Sequence, residues 1–212
     1  YVSRFYTQPS LEFKHQNEMS YQTFSTTGKW LGLTSWDGRG VSVNGGMGVT
    51  IDYIHTFSGS GEAHPDAYFT SLEMSGQVKS HEFEYWSFNP RSGFSVSGQI
   101  NLNHRKILSL ESVQRVRLDA QWLWNLDDYD PPLFVLGIRG AVGLTLSGQR
   151  PGNNTLLPAN YFQYLGGSQD LRGFDRQSVP SKGSMSRYFV SPEARLVSVL
   201  PFNLEPLLFT DL

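Results

Sequence analysis

Alternation of apolar and polar residues with a period of two is the feature that most constrains how this chain can fold. In residues 115–126, one set of alternate positions is apolar and the other is polar apart from Leu123. The apolar row consists of Val116, Leu118, Ala120, Trp122, Trp124 and Leu126. Because successive side chains of a β-strand point to opposite faces, this spacing predicts a strand with one apolar face.

The same alternation recurs in further segments, at 47–57, 71–79, 94–103 and 134–147. Segments rich in Gly, Pro, Asn, Asp and Ser separate these runs, at 36–40, 58–66, 89–93, 127–132 and 149–154. The first 35 residues have a weaker pattern, which we interpret as two or three strands. We therefore predict an all-β antiparallel chain of roughly ten strands, with no linker that divides it.

Two architectures fit such a pattern. In a soluble sandwich the apolar face is the core, whereas in a membrane barrel it meets lipid and the polar face lines the lumen. The predicted strands, about 9 to 15 residues long, exceed the usual length of about 5–6 and suit a tilted membrane strand. The polar rows carry mixed charges, and we expect short turns to alternate with longer loops, as in barrels. These features favour the barrel but leave the sandwich open.

Composition and spacing argue against several functional classes. The net charge of −2 is nearly neutral and implies no polyanionic partner such as nucleic acid, and a chain without cysteine has neither disulfides nor thiolate chemistry. The sequence has no G-x-S-x-G motif, and the acidic segment 127–132 lacks the EF-hand spacing. None of the five histidines has a second ligand at metal-binding spacing: His15, His55, His64, His81 and His104. We predict no catalytic residue, cofactor or metal.

An Arg-Gly-Phe triplet lies in the glycine-rich segment LGGSQDLRGFDR, residues 165–176. A strand containing PEAR and a later strand ending in FTD follow it. This arrangement resembles the C-terminal barrel of outer-membrane assembly factors, which include BamA-like and TamA-like insertases and two-partner-secretion transporters. The match consists of the Gly-Gly pair and the triplet with its preceding leucine: Gly166, Gly167, Leu171, Arg172, Gly173 and Phe174.

The resemblance implies a structural site that anchors a loop inside the barrel. In the family, the loop arginine contacts acidic residues on the next two strands; here these are Glu193 and Asp211. The alternation places Glu193 on the polar face of its strand, whereas Asp211 is assigned inward only by the resemblance, since its strand is apolar on both faces. We expect Gly173 to have a positive φ and Phe174 to wedge against the inner wall.

The resemblance also implies the architecture. Residues 1–212 are expected to be a partial outer-membrane β-barrel domain, part of a transmembrane barrel of sixteen antiparallel strands. The loop that carries the triplet, at about 147–186, is expected to fold inward. No POTRA domain is expected in this chain, and the remaining strands would come from another segment or chain.

The function implied is non-enzymatic: insertion, assembly or translocation of other polypeptides. The expected location is the bacterial outer membrane, or an organelle outer membrane of bacterial origin. The expected partners are membrane lipid, client polypeptides and further barrel strands or accessory subunits, but no nucleic acid. Two alternatives stay open: a two-partner-secretion transporter barrel, and a soluble β-sandwich that binds carbohydrate. The sandwich predicts that Trp122 and Trp124 are packed in a core and that Arg172 is exposed.

Overall fold

The fold is given by a computed structural model of the chain. It describes residues 2–18, 21–59, 67–82, 90–126, 133–150, 157–158, 161–168, 170–197 and 204–212. Over these ranges, no helix has the length and apolar character needed to cross a membrane. The predicted turn segments 58–66, 89–93 and 149–154 lie partly, and 127–132 wholly, outside the described residues.

Eleven β-strands account for most of the described chain. They are β1 (Val2–Glu18), β2 (Tyr21–Gly38), β3 (Val41–Gly59), β4 (Ala67–Glu82), β5 (Ser92–Asn103), β6 (Val113–Asn125), β7 (Phe134–Ser147), β8 (Gln163–Leu165), β9 (Val179–Ser184), β10 (Ser186–Leu196) and β11 (Leu207–Phe209). Nine form one antiparallel sheet in the order β1-β2-β3-β4-β5-β6-β7-β10-β11, and β8 pairs with β9 separately. The prediction of an all-β antiparallel fold is confirmed.

The outer face of the nine-stranded sheet is apolar and its inner face is polar. Trp122 and Trp124, in the apolar row of β6, are 50% and 46% exposed. On the opposite face, Thr145, Ser191 and Glu193 are buried, with at most 8% of their surface exposed. Because a soluble sandwich buries its apolar rows, this inverted polarity contradicts the sandwich and is that of a barrel wall in lipid.

Most of the strands are longer than the alternating segments that predicted them, and β7 has the predicted bounds of 134–147. β1 to β4 contain 16 to 19 residues, and β5, β6, β7 and β10 contain 11 to 14. All exceed or match the ~9–11 residues that a tilted strand needs to cross a bilayer. The described part of the first 35 residues belongs to two strands, β1 and β2. The β2–β3 hairpin turns on Arg39 and Gly40, both with positive φ, as two-residue hairpin loops require.

One expectation about the connections is wrong. Two residues separate β1 from β2 and two separate β2 from β3, so two successive connections are equally short and do not alternate in length. The connection at 104–112 was also missed, because it contains neither glycine nor proline. Its conformation is fixed by tertiary contacts instead, since the Ser109 hydroxyl accepts from the Thr70 backbone N–H and donates to the Thr70 carbonyl.

The described residues of the long segment between β7 and β10 pack on the polar face of the sheet. β8 and β9 form a short antiparallel pair within it, which the sequence did not indicate. Two clusters of buried apolar residues lie on this face. The larger consists of Ile54, Phe69, Val113, Leu157, Tyr161, Phe162 and Tyr164, and the smaller of Leu123, Val135 and Val197. Leu123, the exception in the polar row of β6, is thus part of an inner cluster.

Candidate functional site

The loop that presents the Arg-Gly-Phe triplet is shaped by glycines and by one carboxylate. Gly166 and Gly167 have φ of 119° and 108°, and Gly173 has a φ of 93°, as expected for this position. The Asp170 carboxylate accepts hydrogen bonds from the backbone N–H groups of Gly166 (2.9 Å) and Leu171 (3.0 Å). These contacts fix the backbone just before Arg172.

Arg172 makes several hydrogen bonds with Asp211. Its backbone N–H donates to Asp211 Oδ2 at 2.7 Å, and its Nη2 donates to Asp211 Oδ1 at 3.0 Å. Nε lies 3.4 Å from Oδ2, so the guanidinium spans both carboxylate oxygens. Such forked pairing fixes orientation as well as charge, because the guanidinium donors are planar and rigid.

The same guanidinium contacts β10. Nη2 donates to Ser191 Oγ at 2.5 Å, and Nη1 lies 3.6 Å from Glu193 Oε2. Glu193 also accepts from Arg195 Nη2 at 2.5 Å. On the other side, the Arg172 guanidinium carbon lies 3.4 Å from the centre of the Phe209 ring, which is cation–π geometry.

Strand register explains why these side chains converge. Glu193 pairs with Phe209 across β10 and β11. The ladder continues beyond β11, because the Thr210 N–H donates to the Pro192 carbonyl and the Leu212 N–H donates to the Val190 carbonyl. Asp211 therefore lies on the same face as Ser191 and Glu193, and its side chain is only 7% exposed.

Two further arginines surround this site and were not assigned from the sequence. Arg139 on β7 lies 3.8 Å from Asp211 and donates to the Ser168 carbonyl at 3.3 Å. Arg187 on β10 donates to the Tyr164 carbonyl at 3.0 Å and lies 3.4 Å from Asp170 Oδ2. Both belong to the polar rows of their strands, and the sequence could have indicated their inward direction from that alternation. Their contacts with the loop could not be predicted from residue spacing.

One of the predicted side chains does not contact the inner wall. Phe174 is 57% exposed, so it does not wedge against the sheet in the described part of the chain. The aromatic ring that contacts the Arg172 guanidinium is that of Phe209 instead. Gly173, between the two residues, has a φ of 93°, so the backbone here is not extended and Phe174 need not follow Arg172 toward the sheet.

The site brings together charged groups that neutralise one another. Arg172, Asp211 and Glu193 form one ion-pair network, with Arg139 and Arg195 at its edges. Among the residues that the structure describes, no group of three or more His, Cys, Asp or Glu side chains could hold a metal ion.

Comparison with known proteins assigns the family. The model of the Omp85 superfamily domain matches residues 86–195, just over half of the chain. The chain belongs to the Omp85 superfamily. The matched segment contains Arg172 and Glu193 but ends before Asp211, so the inclusion of Asp211 in the site rests on the contacts described above.

A solved structure supports the fold of this Omp85 chain. It is similar to BamA from Haemophilus ducreyi lacking POTRA domains 1–3, with a TM-score of 0.68 and 15% sequence identity. The alignment covers 99% of this chain and 48% of that one, so this chain spans about half of its length. No curated protein sequence matches. Omp85 proteins are outer-membrane insertases and transporters, and membership of the family implies an outer-membrane location.

Proposed function

We propose that residues 1–212 are part of an outer-membrane barrel of sixteen strands that inserts or assembles other polypeptides without enzymatic chemistry. One observation carries the proposal: in a chain of the Omp85 superfamily, a loop arginine pairs with carboxylates on the next two strands. Arg172, Gly173, Glu193 and Asp211 act as the anchor that holds the loop inside the barrel.

The anchor is stable because each of its buried charges is compensated by the opposite charge of a neighbour. The side chains of Arg172, Asp211 and Glu193 are 15%, 7% and 4% exposed. When one partner of a buried pair is removed, the other charge stays buried without compensation, at a cost of roughly 3–5 kcal/mol. The ion pairs therefore oppose withdrawal of the loop from the inner wall.

Strand pairing is the mechanism that we propose for the action on clients. An exposed sheet edge presents unpaired backbone N–H and C=O groups, which can template a strand of an incoming polypeptide. In lipid those groups have no water to satisfy them, so pairing with a client is strongly favoured. The anchored loop keeps the wall in shape while such an edge opens and closes.

A two-partner-secretion transporter is the alternative within the same family. It would use the lumen as a path for a passenger polypeptide, rather than a sheet edge as a template. The leucine before the triplet and the Gly-Gly pair at 166–167 favour the insertase branch.

The test uses the full-length protein in liposomes, with a urea-unfolded eight-stranded outer-membrane barrel as the client. Arg172→Ala is expected to slow client folding, measured by the client's electrophoretic shift, because the loop is no longer held to the inner wall by its buried ion pairs. Arg172→Lys should be intermediate, because lysine lacks the planar fork. Arg176→Ala, at an exposed position of the same loop, is the matched control.

The two family functions give different outcomes. An insertase accelerates folding of the barrel client, whereas a transporter leaves it unchanged and delivers an unfolded passenger across the vesicle membrane. The proposed role of the anchor would be ruled out if the Arg172→Ala protein kept wild-type activity in the assay in which the wild-type protein is active.

A further inference from the structure

The connection between β5 and β6, residues 104–112, exposes basic and apolar side chains next to one another. Four consecutive residues, here called the exposed tip, are all exposed: Arg105, Lys106, Ile107 and Leu108. The two apolar side chains have 60% and 78% of their surface exposed. Within the described part of the chain, neither the Arg105 guanidinium nor the Lys106 ammonium has a carboxylate partner. The exposed tip therefore presents two positive charges beside two apolar side chains.

Hydrogen bonds define the turn that displays the exposed tip. The Ile107 N–H donates to the His104 carbonyl at 2.8 Å, and the Arg105 N–H donates to Ser112 Oγ at 3.0 Å. Leu108 has a φ of 47°, in the left-handed region that is uncommon for residues other than glycine. Because the Leu108 side chain is exposed, its packing within the described chain does not explain this conformation.

Strand register places the exposed tip at one end of the sheet and on its outer side. β6 begins at Val113, which pairs with Ser147, the last residue of β7, so the tip lies at the end from which the Arg-Gly-Phe loop leaves. Phe69 of β4 is fully buried on the inner face, so alternation directs the next side chain, Thr70, outward. The Thr70 hydroxyl donates to the Leu108 carbonyl at 3.3 Å, which places Leu108 beside the apolar outer face.

Two tyrosines lie on the outer face next to the exposed tip. Tyr68 is 61% exposed, and its backbone carbonyl accepts from the Leu110 N–H at 3.1 Å. Its ring centre lies 4.8 Å from that of Tyr53, its partner on β3. Aromatic side chains are enriched where a barrel wall meets the membrane surface, because one end of the ring is apolar and its hydroxyl remains hydrated. The tip is therefore at the height where lipid headgroups begin.

We propose that the exposed tip binds the headgroup of an anionic lipid in the surrounding membrane. Ile107 and Leu108 enter the edge of the hydrocarbon, where burial of apolar surface is favourable. Arg105 and Lys106 bind the phosphate group, the first through its planar fork of donors and the second as a point charge. The one acid of the connection, Glu111, is partly buried and lies outside the tip. Because a neutral lipid offsets its phosphate with a cation, the tip selects lipids of net negative charge.

The test compares two lipids as quenchers of a fluorophore on the exposed tip. The chain has no cysteine, so Leu108→Cys, in a full-length protein free of other cysteines, carries a single bimane label. The protein is reconstituted in phosphatidylcholine vesicles with a small fraction of phosphatidylglycerol or phosphatidylcholine that bears a nitroxide near its headgroup. Phosphatidylglycerol should associate about fivefold more strongly for each basic residue that contacts it. Added salt should reduce this preference, because it screens exposed charges.

Arg105→Gln and Lys106→Gln should each lower the preference for phosphatidylglycerol and leave quenching by phosphatidylcholine unchanged. Arg39→Gln is the matched control, because it removes a charge from the exposed β2–β3 turn at the opposite end of the sheet, and it should keep the preference. Equal quenching by the two lipids overturns the proposal, as does a preference that survives both substitutions or high salt. Absence of quenching by either lipid also overturns it, since the tip would then lie away from the membrane. None of these outcomes depends on client folding, so the proposed insertase function is tested separately.

Discussion

Asp211 is the residue on which the anchor depends most. It accepts from both the backbone and the side chain of Arg172, and it also lies 3.8 Å from Arg139. A carboxylate between two guanidinium groups lowers the free energy of both. Its removal would leave Arg172 and Arg139 near each other with less negative charge between them.

We therefore expect Asp211→Ala to lower the free energy of unfolding of the full-length barrel by about 3–5 kcal/mol, the range for a broken buried pair. The measurement is the urea dependence of the electrophoretic shift between folded and unfolded protein in lipid vesicles. Asp175→Ala, an exposed acid in the same loop, should change it by less than about 0.5 kcal/mol. Equal effects of the two substitutions would mean that Asp211 is not a buried partner.

At the scale of elements, β7 supports the site through a glycine, because the space beside this glycine is filled by side chains of the neighbouring strands. Gly137 pairs with Glu193 of β10 on one side and with Leu123 of β6 on the other. A Cβ at Gly137 would lie 2.8 Å from Glu193 Cγ and 2.9 Å from Leu123 Cδ2. This glycine therefore leaves room for Glu193 to stay between Arg172 and Arg195.

Gly137→Ala should displace Glu193 and destabilise the barrel by about 1–3 kcal/mol, as overpacking of a filled site does. Client folding in the liposome assay should slow in parallel, since Glu193 can no longer meet Arg172. Gly28→Ala is the matched control in a strand, because a Cβ at Gly28 has no neighbour within 4 Å. A Gly137→Ala protein as stable and active as this control would contradict the packing argument.

At the scale of the whole molecule, the apolar outer face and polar inner face of the sheet indicate that its outer face lies against lipid. The outward rows of β6 and β7 expose Leu118, Trp122, Trp124, Val142 and Leu146 to about half of their surface. Such a continuous apolar face is costly in water and favourable in hydrocarbon. Trp122 and Trp124 stack with ring centres 5.7 Å apart, as part of the aromatic content expected near a membrane interface.

Brominated phospholipids test this orientation directly, because bromine quenches tryptophan fluorescence only at short range. In vesicles of such lipid, the full-length protein should lose emission, and the Trp122→Phe/Trp124→Phe variant should lose a smaller share. Detergent should also be required to extract the protein from membranes. Quenching that is the same in both proteins would place these two side chains away from lipid.

The sequence alone determined that the chain is all-β, which residues share a strand face, and which residues form the loop motif. Period-two alternation is a local property of an extended chain, so it can be read without tertiary information. The Arg-Gly-Phe triplet and Glu193 could be named because they match motifs of the family that the chain resembles, and each motif lies within one segment. The exposure of the Phe174 side chain could not be predicted from the sequence, because it depends on the direction that the backbone takes after Gly173.

Only the tertiary structure decided which face of the sheet is buried and what lies on it. Alternation is the same for a sandwich and a barrel wall, and the two differ only in the solvent that each face meets. Asp211 shows the same limit: its strand is apolar on both faces, so only its register against β10 places it beside Ser191. Leu157 and Tyr161 form one cluster with Ile54 of β3, about a hundred residues away in sequence, and no local pattern predicts a contact over such a separation.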